Sequence, residues 1–566
     1  MPSSSLRLST AVATACLSAA AFAQVIPPPQ ASQVTPRDLR PDVPPKPPVT
    51  LPAVPAQPAP PKSAQLFVSV DDIAVDDAFP EFAVQTQSLL PPYLGHRVAV
   101  AEFYKLAAAI EAIYQQAGYP LVRVVVVPQK LADGGTLRLK VLDGFLERID
   151  AKAVAAATRA GVVETMQPLL GQRHLTSAQL ERALTLAGRI PGVALRSALG
   201  AGEQTGGAVL TLEGRFSAYA ASVEADNRLE GSLGPWETTI QVRLNQPSTR
   251  GEQFYGYVSS GPDWSQTLIR DTEARRVIGG GVQIPLGTSG LQLNPEYTWS
   301  DTKPRTPAGA LPTESAFERF TLRLIYPLIL DHVQELTLTG TLDATNQSNA
   351  APDFGITFTQ DRLRIGRLTL NWTGDVPNGH LHVFATGSQG SGGFGARTWS
   401  DVVSSQIGFS RVDVDPTFTK LELGATLAQA LPLELQSTLS LRGQAARGVL
   451  PSSELFSVDG EDALSTYTSG AISDDGGYTL REELARAFNL SLGGKPLGLS
   501  PYVFGAAGKP TTKLPTAQTV GFSSAYGVGL RADWDVVSLS GEYGRRQSRP
   551  AYLDGNQFFL KAQVQF

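Results

Sequence analysis

His380 and His382, one residue apart, are the pair in this chain whose spacing comes nearest to metal chemistry. On a strand they would share a face, but no third ligand stands in view, so lumen or surface histidines are the plainer reading. The run "GSQGSGGFG" resembles a phosphate cradle only superficially. It lacks the Lys-Ser/Thr and the helix that such a loop requires. No G-x-S-x-G, Walker A or H-E-x-x-H pattern occurs, which leaves hydrolase, nucleotide and zinc-protease chemistry without a motif. The residues form no catalytic constellation, imply no cofactor or metal, and read as a protein that is not an enzyme.

The polar stretch "DALSTYTSGAISDDGGY", residues 462–478, is then the segment that most needs a purpose. It is far longer than the connections around it and lies between two segments of alternating apolar and polar residues. What it does depends on the elements that hold it.

At 566 residues the chain is long enough for several cores. The net charge of -5 is small, and no basic run argues for nucleic acid. Residues 1–23 read as a secretory signal: Arg7, an apolar run, then Ala21-Phe22-Ala23 as the cleavage site. The only cysteine, Cys16, falls within it, so the mature chain would carry no disulfide. Residues 24–63 are crowded with proline and read as an extended spacer. No apolar run is long enough for a membrane helix after the signal.

Residues 64–144 read as a small α/β module. Its helix would place Phe103, Leu106, Ile110, Ile113 and Ala117 on one face and stop at Gly118. Residues 145–213 read as a second module, with Thr176 and Gln179 as a capping box and Leu180, Ala183, Leu184 and Ala187 as its apolar face.

From 214 to 566 helix signals almost vanish. In "ELTLTGTLD", Leu336, Leu338, Gly340 and Leu342 oppose Glu335, Thr337, Thr339, Thr341 and Asp343. The last segment sets Phe558, Leu560, Val564 and Phe566 against Gln557, Lys561, Gln563 and Gln565. A soluble sandwich alternates too, but here the polar faces carry charges and amides strand after strand, as a water-filled interior requires. The pattern predicts a transmembrane barrel of about sixteen antiparallel strands. An even count puts both barrel ends on the periplasmic side, with the modules. Two segments resist. In "DRLRIGRLTLNW" the parity of apolar residues changes at Gly366, which we read as a bulge, and "YTLREEL" puts a Glu on each face.

Signal, spacer, two α/β modules (POTRA domains) and an all-β barrel together resemble the outer-membrane translocators of two-partner secretion, the haemolysin- and adhesin-exporting pores. The most specific stretch is "LERALTLAGRIPGVALRSALGAGEQTGGAVLTL", resembling a second POTRA domain. "ADNRLEGSLGPWETTIQVRLNQPSTRGEQF" resembles the first barrel strands, and "LPSSELFSVDG" with "DGGYTLREEL" the flanks of a sixth extracellular loop.

The resemblance implies an outer-membrane pore that takes one large exoprotein from the POTRA domains and exports it unfolded. It also implies contact with outer-membrane lipid, and delivery by the barrel-assembly machinery through a terminal signal at Phe558, Val564 and Phe566. The alternative is an insertase related to that machinery; a small-solute porin would have no use for the modules.

In the family the loop tip carries a Val-Arg-Gly-Tyr-type motif whose Arg meets an Asp of a Phe-x-Asp motif on an inner wall strand. Here Leu464-Ser465-Thr466-Tyr467 stands at the tip, and the wall strand offers Phe504 and Ala506, with Ala506 in place of the Asp. Losing one partner would leave a buried charge at a cost of roughly 3–5 kcal/mol, whereas losing both removes the penalty. The expectation is a translocator without the family's lock, its loop anchored through Tyr467 and Phe504.

Overall fold

A computed structural model describes residues 57–248, 251–263, 273–306, 308–514 and 520–566. The signal and nearly all of the Pro-rich spacer fall outside the described residues.

The N-terminal module is a four-stranded sheet whose central strands, Phe67–Asp76 and Gly135–Leu142, run parallel. The helix Val100–Gln116 covers it. Its buried face is Phe103, Leu106, Ala107, Ile110, Glu111 and Tyr114; Ile113 is half-buried and Ala117, just past the helix, is exposed, which corrects the lower half of the expected stripe. The face turns because Tyr114 spans to Phe79, whose amide donates to its hydroxyl (3.2 Å). Glu111 accepts from the Val124 amide (3.0 Å) and pairs with Arg123 at 3.2 Å. Burial nevertheless pushes the Glu111 carboxyl above its ordinary range.

The second module is a three-stranded sheet, Phe145–Val154, Gly207–Phe216 and Val193–Ala201 in spatial order, under the helices Ala156–Met166 and Ser177–Gly188. Thr176 and Gln179 form a reciprocal capping box, and Leu180, Ala183, Leu184 and Ala187 are all buried. The strand Gly207–Phe216 runs three residues past 213 and belongs to this sheet; the first barrel strand is Tyr219–Asp226.

The remainder closes into a barrel of sixteen antiparallel strands among the described residues, counting Gly476–Arg486 and Phe488–Leu492 as one interrupted strand on the wall strand Lys495–Thr511. Long connections such as 391–418 and 448–475 lie at one end, opposite the modules, and tight turns such as 377–378 at the other. The seam, Lys561–Gln565 against Ser222–Asp226, is only five residue pairs long. Asn227 lengthens it: its Oδ1 accepts from the Leu560 amide (2.8 Å) and its Nδ2 donates to the Phe558 carbonyl (3.2 Å).

The ladder runs without a shift through Gly366, so the expected bulge is absent. Leu363 and Ile365 face inward and pack with Phe418 and Leu450 beneath the extracellular connections. Arg362 and Arg364 face outward on the same stretch, and the parity change marks where the inner face comes under this apolar cap. In "YTLREEL", Arg481 and Glu483 face the lumen and Glu482 faces out, accepting from the Ser437 hydroxyl (2.7 Å).

Candidate functional site

The connection 448–475 is folded against the inner wall and held at three levels. Near its base Glu454 accepts both guanidinium branches of Arg367 (2.9 and 2.7 Å) and lies 2.9 Å from the Lys420 ammonium. Burial works against its charge, but Arg367 and Lys420 override it and hold the carboxyl down at about 2. At the returning end Asp475 accepts from Arg411 (2.6 Å) and from the Leu450 amide (2.8 Å). Inside the loop, Asp459 accepts from the amides of Gly470 (3.0 Å) and Ile472 (2.8 Å), closing the turn that carries the tip.

The tip is Leu464-Ser465-Thr466-Tyr467, every residue of it buried. Leu464 and Tyr467 form one apolar cluster with Phe456, Tyr502, Phe504 and Ala506. The Tyr467 hydroxyl donates to the Gln547 carbonyl (2.8 Å). A Cβ added at Gly544 would meet the Thr466 methyl at 2.6 Å, so that lumen-facing glycine lets the tip approach the wall.

Ser465 is the polar centre of the contact. Its carbonyl accepts from Arg228 (2.8 Å), and its hydroxyl accepts from Arg481. Arg481 is cross-strand partner to Ala506, so the charge opposite the tip comes from the wall residue beside Ala506. The guanidinium lies over the Phe504 ring, 4.2 Å from its centroid. It also donates to Glu542 (2.9 Å) and Glu483 (3.3 Å). Glu483 is held in turn by Arg531, and Glu542 accepts from the Tyr502 hydroxyl (3.1 Å). A polar cavity of about 90 Å³ opens between these groups, Arg228 and Glu461.

The structure therefore brings together Leu464, Ser465, Thr466, Tyr467, Phe504 and Ala506, and adds three residues that sequence reasoning missed: Arg481, Glu542 and Arg228. The signal for Arg481 was present in "YTLREEL", where a cation and an acid share the lumen face two residues apart. Phe558, Val564 and Phe566 lie elsewhere, on the lipid-facing side of the last strand, and the Phe566 backbone pairs with Ala221 in both directions. His380 and His382 face the lumen, beside Asp375 (2.9 Å) and Asn371 (3.4 Å).

The second module is fastened to the periplasmic turns of the barrel. Arg189 forms a two-branched pair with Glu335, and Arg182 donates to the carbonyls of Pro327 (2.9 Å) and Ser289 (3.1 Å). Gly290, at φ +94°, lies so near Leu186 that a Cβ there would approach to 2.7 Å.

The haemolysin secretion/activation protein family ShlB/FhaC/HecB matches residues 209–532, and the ShlB-type POTRA domain matches residues 70–144. The chain is 24% identical over 433 residues to the hemolysin transporter protein ShlB of Serratia marcescens, spanning 76% of this chain and 72% of that one. Among solved structures it is similar to CdiB from Escherichia coli, with a TM-score of 0.71, 19% identity, and 95% and 94% of the two chains covered. CdiB from Acinetobacter baumannii aligns with a TM-score of 0.61 and 15% identity over 99% and 97% of the two chains.

Proposed function

The chain belongs to the haemolysin secretion/activation family ShlB/FhaC/HecB, and from that premise we propose that it captures one large exoprotein at its second module and passes it, unfolded, through the barrel. As a member it is an outer-membrane translocator of two-partner secretion, with its POTRA modules in the periplasm.

The observation that carries the finer reading is the pairing of an open strand edge with a lumen-lining latch. Val193–Ala201 pairs only with Gly207–Phe216 among the described residues, which leaves one side of a nine-residue strand free for an extended segment. Strand addition there gains main-chain hydrogen bonds, while alternate side chains set specificity. The helix beside that edge, Ser177–Gly188, is bolted to the barrel turns, so cargo bound at the edge is already at the periplasmic mouth.

Transport then requires the tip at Ser465 to leave the wall. Free energy for export comes from the cargo folding outside.

The test uses the absence of cysteine outside the signal segment. A photo-crosslinker placed through Arg196→Cys, on the exposed edge, should trap the exoprotein during secretion, whereas one placed through Glu164→Cys on the helix Ala156–Met166 should not. Equal trapping at both positions, or none at Arg196→Cys while secretion proceeds, refutes edge capture.

A further inference from the structure

We propose that the outer wall of the barrel binds a phosphorylated, multiply acylated lipid of the outer leaflet, its acyl chain in a glycine-floored groove and its headgroup phosphates at three arginines toward the groove's extracellular end. The groove has a volume of about 1110 Å³ and climbs from Leu293, on the strand Gln292–Thr302, to Arg447 at the end of the strand Leu435–Arg447. Its floor includes Gly340, Gly366 and Gly387, each of which faces outward, and the Gly340 and Gly387 pairings with Leu368 align them across neighbouring strands. A Cβ added at any of the three would meet nothing within 4 Å, so the hollow is a consequence of missing side chains and not of close packing. Leu324, Leu342, Leu368 and Leu421 form its sides and are all exposed. A convex barrel wall in lipid has no need of such a recess, and an acyl chain fills one by burying CH₂ groups against leucine.

Charge at the upper end selects the headgroup. Arg364 and Arg362 stand on the outer face one and two positions of alternation above Gly366, and Arg447 is exposed in the ladder row that joins Gly366 through Gln389 and Thr419. None of the three forms an ion pair among the described residues. Asp401, the carboxylate that acts on Arg362, stays outside ion-pair distance and accepts instead from the Thr398 amide (2.8 Å). Arg364 donates only to oxygens of the chain, including the Phe394 carbonyl (3.2 Å). Phe394 itself is 92% exposed, an aromatic ring presented at the same rim. Three guanidinium groups above an apolar recess match a lipid with phosphate at its head, because a planar fork binds phosphate oxygens in pairs.

The test is native mass spectrometry of the full-length protein released from micelles containing hexa-acylated diphosphoryl lipid A, its dephosphorylated form, or phosphatidylglycerol. The intact protein should retain one diphosphoryl lipid A and neither of the others to the same extent. Arg362→Gln with Arg364→Gln and Arg447→Gln should lower the retained fraction on the order of a hundredfold, from three arginines at a charged surface. Gly366→Leu with Gly387→Leu, which the open space around both glycines tolerates, should also abolish retention while heat-stable barrel migration persists. Arg545→Gln, an exposed arginine on the far wall at the same end, should change nothing. Equal retention of all three lipids, or retention unmoved by both the arginine and the glycine variants, would overturn the proposal and leave ordinary boundary lipid.

Discussion

Replacing Arg481 by methionine should free the loop tip without unfolding the barrel. The arginine holds three groups: the Ser465 hydroxyl, Glu542 at 2.9 Å and Glu483 at 3.3 Å. Glu483 keeps Arg531, but Glu542 is left with only the Tyr502 hydroxyl. An orphaned buried charge costs roughly 3–5 kcal/mol, and that share falls on the wall. The loop's own share is one hydrogen bond from a charged donor, worth roughly 1.5–3 kcal/mol, or about ten- to a hundredfold in the equilibrium between held and released tip. The two shares separate in a double variant, because Glu542→Gln removes the orphaned charge. Arg481→Met should therefore lower the barrel's thermal stability and raise its open probability in planar bilayers. Arg481→Met with Glu542→Gln should recover the stability and keep the raised open probability. If the single variant loses stability with unchanged opening, Arg481 serves the wall alone and does not hold the tip.

Ser465→Arg places a second guanidinium against Arg481 and should destabilise the closed loop; adding Ala506→Asp, on the neighbouring strand beside Arg481, should restore it, as read by conductance and by a double-mutant cycle. Tyr467→Phe deletes the hydroxyl bond to Gln547 and should shift the loop equilibrium by about 1 kcal/mol, measured as faster hydrogen exchange at 464–472. Glu454 has an ordinary pKa of 4.5 that the folded loop depresses to about 2, so its contribution is complete above 4.5 and is lost as pH falls toward 2. Opening frequency should rise through that acid window in the intact protein, and Glu454→Gln should remove that part of the dependence. Arg189→Met should loosen the second module from the barrel, seen as a broadened distance distribution between spin labels placed on the helix Ser177–Gly188 and the turn 286–291.

The barrel was legible because its period of two is written in most strands, with leucine or an aromatic outside and an amide or charge inside. Leu336, Leu338, Gly340 and Leu342 show it plainly. The parity change at Gly366 was visible but misread, since a ladder that stays in register can still exchange its environments where a loop caps the inner face. Leu363 and Ile365 then turn inward under a loop cap that alternation within one strand cannot reveal. The loop tip was placed from its flanks, but its partner was sought as a carboxylate on the wall. Arg481 supplies the opposite charge sign from the wall, and the contact joins residues 16 apart in sequence through a fold of the loop. Arg228 and Glu542 were out of reach for the same reason: one follows the first barrel strand and the other lies three strands along the wall from Arg481, and both depend on the assembled barrel.

Transport of one protein by this chain is tested most directly by its deletion in the native host, with every outer-membrane protein followed. The account predicts that one large exoprotein accumulates in the periplasm, that other barrels assemble normally, and that the intact gene restores export. General loss of barrel proteins from the outer membrane would contradict it and favour an assembly factor; a small-solute uptake defect with normal export of every exoprotein would contradict it as a diffusion pore.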